Sequence, residues 1–315
     1  MSKNSLPYEI LESARLVGFD VETMVKEETP KFFLNYNRIV GVKEVEGLIL
    51  AGRELENGVM ADFIVTSGKK IKTPVHLCFG VVEEEGTQEI VPRFIIDDGA
   101  QVLVLAHCSF PKARNLTHRM QAEIILGKNA IFLYEERHYH GEMGGAKVFP
   151  KFRVDVGDGS FFQSIFSLTK GSVGLLSIDV EVYAHTASRI EIVNKAYGRS
   201  SQDKVQIRDA VFLEGENARG LVKLRAAASQ GGDVIMMGIT EANAPYATGH
   251  VDCKEIVKGE GSTARAIPIV RVGDENARVT HEASVGKVNQ KQLDTLMARG
   301  LTEQEAVDMI VQGML

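Results

Sequence analysis

The chain has 315 residues and a formal net charge of −6, enough length for one large core or two ordinary ones. Without a basic stripe, that balance excludes nucleic acid as a partner. No apolar run approaches the roughly 18–20 residues that span a bilayer, and no membrane partner is expected. The opening MSKNSLPYEILESARL lacks the charged-then-apolar order of a signal peptide, so the expected localisation is cytoplasmic. The three cysteines, Cys78, Cys108 and Cys253, are too few and too far apart for a disulfide framework or a CxxC zinc pair.

Residues 1–36 read as an N-terminal helical segment, with Ile10, Leu11, Ala14, Leu16, Val17 and Met24 at roughly helical spacing. From 37 to 286 the texture changes to short runs of Val, Ile and Phe, broken by Gly, Asp and Asn. Asp98-Gly99-Ala100-Gln101-Val102 is followed by Gly127-Lys128-Asn129-Ala130-Ile131, then by Gly157-Asp158-Gly159-Ser160-Phe161, at steps of 29 and 30 residues. Later copies start at Gly215, Gly259 and Asp274, the last two 15 residues apart. A fixed period without intervening helices predicts a solenoid, here a β-helix. The competing reading is a β-sandwich of evenly spaced hairpins. It is disfavoured because two-residue hairpin turns are scarce, Asp98-Gly99 being the one clear candidate. Residues 287–315 read as a C-terminal helical segment of two short helices. Gly300 sits at the end of the first, and Thr302 with Glu305 forms a capping box at the start of the second. Ala306, Met309, Ile310 and Met314 share a face of that second helix.

The stretch from Cys253 to Leu315 carries a resemblance. Its order is Cys253, a glycine six residues on, a Pro-apolar strand around Pro268, and His281-Glu282-Ala283-Ser284. A Lys-Val-x-x-x-Gln-Leu helix from Lys287 and an Arg-Gly-Leu-x-Glu-x-x-Ala turn from Arg299 follow. This is similar to the SufB/SufD family, the core proteins of the SUF iron–sulfur cluster assembly machinery, whose fold is a right-handed parallel β-helix with helical ends. Cys253 and Glu282 place the chain nearer the SufB branch, although Thr280 stands where that branch has an acid. Its short length resembles the compact archaeal members.

The resemblance implies an assembly scaffold and not an enzyme, with a transient iron–sulfur cluster as cargo. Its implied partners are the SUF ATPase (SufC), a second copy or a SufB/SufD-type paralogue, a sulfur donor and apo-protein acceptors. Some SUF complexes use a flavin; no dinucleotide fingerprint is visible here, and neither is a Walker A sequence. The contact with SufC is expected through Leu293, Leu296, Ala306, Met309 and Ile310. Cys253, His281 and Glu282 are the expected cluster ligands, a mixed set that would hold a cluster less firmly than four thiolates. Their separation of 29 residues suggests that Cys253 and Glu282 stack on adjacent rungs about 5 Å apart. His281 would then turn to the other face, towards a neighbouring subunit. Cys108 is the expected sulfur acceptor, its thiol activated by His107, Lys112 and Arg114. Cys78 is assigned to the core, and Glu135 to Glu142, despite His138 and His140, to a solvated strand face. A SufD-like structural partner without its own cluster is the first alternative. A polysaccharide-active β-helix enzyme is the second, disfavoured by the absence of Trp and of a signal peptide.

Overall fold

The computed structural model describes residues 6–315; residues 1–5 of the expected helical segment lie outside it. Helices α1 (Tyr8–Leu16) and α2 (Val21–Val25) lead into β1 (Lys31–Asn35), β2 (Arg38–Lys43), β3 (Leu48–Glu54), β4 (Gly58–Val65) and β5 (Val75–Gly80). Then follow β6 (Glu85–Ile96), β7 (Gln101–Ser109), β8 (Asn115–Leu126), β9 (Ile131–Tyr139), β10 (Ala146–Val156), β11 (Phe161–Leu168) and β12 (Leu175–Ala184). The series ends with β13 (Arg189–Gly198), β14 (Lys204–Leu213), β15 (Arg219–Ser229), β16 (Asp233–Ala242), β17 (Thr248–Lys258), β18 (Thr263–Val272) and β19 (Arg278–Lys287). Helices α3 (Gln290–Met297) and α4 (Glu303–Met314) close the chain. The helical N-terminal segment is thus shorter than expected, because Lys31–Asn35 already pairs in parallel with β5 as part of the first rung.

The strands form a parallel β-solenoid of about 8 turns. Each coil sends one strand to a ten-stranded sheet, ordered β19-β17-β15-β13-β11-β9-β7-β5-β1-β2, and one to a facing nine-stranded sheet, β18-β16-β14-β12-β10-β8-β6-β4-β3. Among the described strands, β1/β2 and β3/β4 pair antiparallel and the others in parallel. Alternation of buried and part-exposed residues along almost every strand reflects the two-residue strand period, one face turned to the core and one outward.

The recurring turns fall into two columns. Those after β6, β8, β10, β12, β14, β16 and β18 form one edge, and the Gly259–Ser262 turn lies on the other. Two such turns on opposite edges are half a coil apart, which accounts for the 15-residue step. In the first column one position repeats in the left-handed region: Gly99, Asn129, Gly159, Ala187, Asn217 and Tyr246, with φ between 54° and 69°. The amide N–H of each of the first five donates to a carbonyl of the next turn up, from Gly99 to Lys128 O (2.8 Å) through Asn217 to Pro245 O (3.0 Å). The column is therefore a hydrogen-bonded ladder that needs a left-handed residue at every rung, and glycine or asparagine fills four of the six.

Inside, the early coils are filled by stacked aromatics. Phe63 and Phe94 lie 4.7 Å apart and nearly parallel, with Phe132 5.6 Å from Phe94 and Phe162 5.9 Å further on. The later coils substitute Val, Leu and Ala, including Val222, Leu224 and Ala226. Two satellite clusters cover the outer face of the larger sheet. Ile10, Ala14 and Met24 pack over Phe33 and Cys78 at one end; Leu293, Ala306, Val307 and Val311 pack over Tyr197 and Ala227 towards the other. The capping box of α4 is present, Thr302 accepting from the Glu305 amide and Glu305 from the Thr302 amide. Gly300, at φ 98°, closes the turn between the two helices. The last rung, β18 and β19, has no further coil above it, and its core-facing side chains are partly or fully exposed.

Candidate functional site

Cys253 lies on β17, one rung below that uncovered end. Its side chain turns into the core and is fully buried. Burial pushes its thiol up to about 12, with Glu255 and Asp252 acting in the same direction and Arg225 against it. The register between β17 and β19 corrects the expected ligand geometry. Cys253 pairs with Ala283, Asp252 with Glu282, and Val251 with His281. One coil is 30 residues here and not 29, and an offset of one residue in a strand moves a side chain to the opposite face. His281 therefore shares the core-facing side with Cys253, diagonally one rung above it, whereas Glu282 stands outside over Asp252. Arg225 pairs with Asp252 on that outer face. Thr280 is also outside, its hydroxyl 2.8 Å from His250 Nδ1.

A residue missed by sequence reading completes the inner arrangement. Glu255 is on the same face as Cys253, two residues on, 2% exposed, and neither carboxylate oxygen has a hydrogen-bond partner. Burial raises its carboxyl to about 7, opposed by Arg225. Cys253 and Glu255 thus share one buried inner face without a hydrogen bond between them. The strand alternation from Cys253 identifies Glu255 once the face is known, but a lone Glu in Lys254-Glu255 reads as a solvated pair.

The second thiol centre is in the middle of the solenoid. Cys108 on β7 and His138 on β9 are register partners, and Glu136 lies two residues before His138 on the same inner face. Cys108 Sγ donates to Glu136 Oε1 at 3.2 Å, and His138 Nε2 is 2.8 Å from the same oxygen. His138 Nδ1 is 3.1 Å from His140 Nε2, and His140 Nδ1 donates to Val173 O at 2.8 Å. All four side chains are at most 2% exposed. Burial alone would raise the Glu136 carboxyl, but His138 and the Cys108 thiol outweigh it and hold it below its ordinary value. The polar-surface expectation for Glu135 to Glu142 is thus overturned: the strand alternation was read correctly, but its His face turns into the core. The expected cationic activation of Cys108 is also corrected. Lys112 pairs with Glu9 and Arg114 with Glu84 on the surface, while His107 points outward beside Cys78, 3.7 Å from its Sγ. Burial, then Glu136, pushes the Cys108 thiol well up.

The two thiol centres share one inner column. Glu136, Phe166, Asn194, Leu224 and Cys253 are successive register partners. Four rungs at about 4.8 Å separate them by roughly 19 Å. Midway, the Asn194 amide donates to the buried Asp209 carboxyl, which burial raises to about 7.

The C-terminal helices divide the expected SufC contacts. Leu293 (1% exposed) and Ala306 (0%) are packed beneath the helices and cannot reach a partner. Leu296, Met309 and Ile310 instead line an open groove with Ile256 and Met314.

These features define a parallel β-solenoid with two buried thiols in one inner column, Cys108 beside Glu136 and Cys253 on the face of Glu255, and an uncovered last rung. The chain matches the family described as SUF system FeS cluster assembly, SufBD core domain, over residues 82–314. It is 41% identical over 98% of its length to an iron–sulfur cluster assembly SufBD family protein of Methanocaldococcus jannaschii, covering 96% of that chain. A protein of the same description from Pyrococcus horikoshii is 33% identical over 89% of the chain and 84% of its own length. A longer one from Staphylococcus saprophyticus is 24% identical over 97% of the chain and 65% of its own. The chain belongs to the SufBD family of iron–sulfur cluster assembly proteins.

Proposed function

We propose that the chain is a scaffold on which an iron–sulfur cluster is assembled and from which it passes to apo-proteins. The observation that carries this reading is the place of Cys253: a buried thiol on the same inner face as the buried Glu255 carboxyl, one rung from the uncovered end. In this reading Cys253 and His281 hold the cluster from the inner face, and Glu255 takes the proton that Cys253 must lose to become a ligand. Glu282, outside on the last rung, serves a second subunit across the open end, the reverse of the roles first expected for His281 and Glu282. That subunit is a second copy or a SufB/SufD-type paralogue, and an unpaired strand edge on β18 and β19 suits such an addition. A ligand set of one thiolate with imidazole and carboxylate favours release over storage.

Cys108 is the sulfur acceptor in this reading, with Glu136 taking its thiol proton. Phe166 and Leu224 fill the column between the two thiols, so sulfur reaches Cys253 only when the solenoid side chains rearrange. SufC docks in the groove of Leu296, Met309 and Ile310 and supplies ATP hydrolysis. The test is cluster transfer: the reconstituted chain is mixed anaerobically with an apo-ferredoxin, with and without SufC and ATP. Transfer from the wild type but not from Cys253→Ser supports the scaffold. A wild type that never matures the ferredoxin supports the SufD-like alternative.

A further inference from the structure

We propose that the buried Cys108–Glu136–His138 cluster is a binding site for one divalent transition-metal ion of the zinc(II) or iron(II) kind. The site is distinct from the cluster position at Cys253, and the proposal stands whether or not Cys108 accepts sulfur.

The hydrogen-bond directions carry the argument. His140 Nδ1 faces the Val173 carbonyl, so this nitrogen bears the hydrogen and His140 Nε2 presents a lone pair. His138 Nδ1, 3.1 Å from that lone pair, must therefore donate. A neutral His138 then presents its remaining lone pair, on Nε2, to Glu136 Oε1 only 2.8 Å away. Lone pair would face carboxylate oxygen in direct contact within the buried core, an arrangement that requires a cation between them. The cation is either an extra proton or a metal ion.

The donor set favours a metal ion. Sγ, Oε1 and Nε2 lie within 4.8 Å of one another. Tetrahedral coordination, with bonds of about 2.0 Å to N and O and about 2.3 Å to S, sets ligand atoms roughly 3.3–3.6 Å apart. The observed 2.8 and 3.2 Å need to open by about 0.5 and 0.3 Å. Thiolate, imidazole and carboxylate together suit a borderline-soft ion and not magnesium or calcium. A ligating histidine characteristically donates its other ring N–H to a second residue that fixes its tautomer, and His140 does this for His138. On the facing strand β8, His118 Nδ1 is 2.9 Å from Gln88 Oε1, which leaves its Nε2 buried and without a partner. The Phe110 ring touches both this imidazole and that of His140, with centroids 5.0 and 5.4 Å away. His118 thus offers a further nitrogen in the same interior layer. Binding of the ion displaces the Cys108 thiol proton and the proton between Glu136 and His138, so two protons leave for each ion gained.

The test keeps the site intact and removes the other thiols. In Cys78→Ser/Cys253→Ser, Cys108 is the last cysteine, so any sulfur-to-cobalt charge-transfer band reports on it. The protein is loaded with Co(II) anaerobically, both by prolonged equilibration of the folded chain and by refolding with Co(II) present. The expected result is a charge-transfer band that saturates at one equivalent, with tetrahedral d–d absorption. Adding His138→Gln should weaken binding at least tenfold, and adding Cys108→Ser should abolish the band. No band under either loading condition overturns the proposal, as does a band that survives Cys108→Ser. Should the added variants fail to fold by circular dichroism, the band in the sole-thiol protein decides alone.

Discussion

Glu255→Gln tests the electrostatics beside Cys253. The wild-type carboxyl is raised from 4.5 to about 7 by burial. At about 1.36 kcal/mol per pH unit the ceiling on the linked stability is roughly 3.4 kcal/mol. Solvent at the open end, one rung away, screens part of this and leaves about 1.5–2 kcal/mol. The sign follows from proton binding. A carboxyl raised on folding makes the native state hold more protons than the unfolded chain between pH 4.5 and about 7. Its contribution is complete below the unfolded value, declines as pH rises, and is gone above the folded value. Glutamine has no such dependence. The variant should gain about 1.5 kcal/mol on the wild type between pH 5 and pH 8, read from urea-unfolding midpoints at both. An equal difference between the two proteins at both pH values would refute the assignment of Glu255 as a buried carboxyl with a raised proton affinity. The same variant should assemble cluster more slowly if, as proposed, Glu255 takes the Cys253 proton.

Phe94→Ala, in the middle of the aromatic stack and 1% exposed, should cost about 3–5 kcal/mol; a thermal-denaturation midpoint within a degree of the wild type would contradict the packing. In the C-terminal helices the two kinds of residue should separate. Leu293→Ala should lower stability by about 2–4 kcal/mol. Met309→Glu, at a side chain 51% exposed, should leave stability unchanged and weaken SufC binding by calorimetry at least tenfold.

The solenoid was legible because its constraint is local and repeated. A left-handed residue at each rung of one edge leaves Gly99, Asn129, Gly159 and Asn217 at near-constant spacing. Ala187 and Tyr246 hide two rungs, since the backbone ladder imposes the same φ on residues that do not advertise it. The capping box at Thr302 was legible for the same reason, being four residues long. Facing was harder to read. Whether Glu282 or His281 joins Cys253 depends on one residue in a coil of 30, and the turns alone gave both 29 and 30. The His138 face was misassigned because burial of a His-Glu pair depends on partners far along the chain, here Cys108 and His140 with Val173. Glu255 was invisible until the face of β17 was known, since nothing in a single carboxylate distinguishes a rim residue from a buried one.

Anaerobic reconstitution with ⁵⁷Fe and sulfide, followed by absorption and Mössbauer spectroscopy of the wild type and Cys253→Ser, tests the scaffold most directly. The account predicts a cluster on the wild type that is lost in Cys253→Ser and retained in Cys78→Ser. A cluster of unchanged yield and spectrum in Cys253→Ser would contradict it.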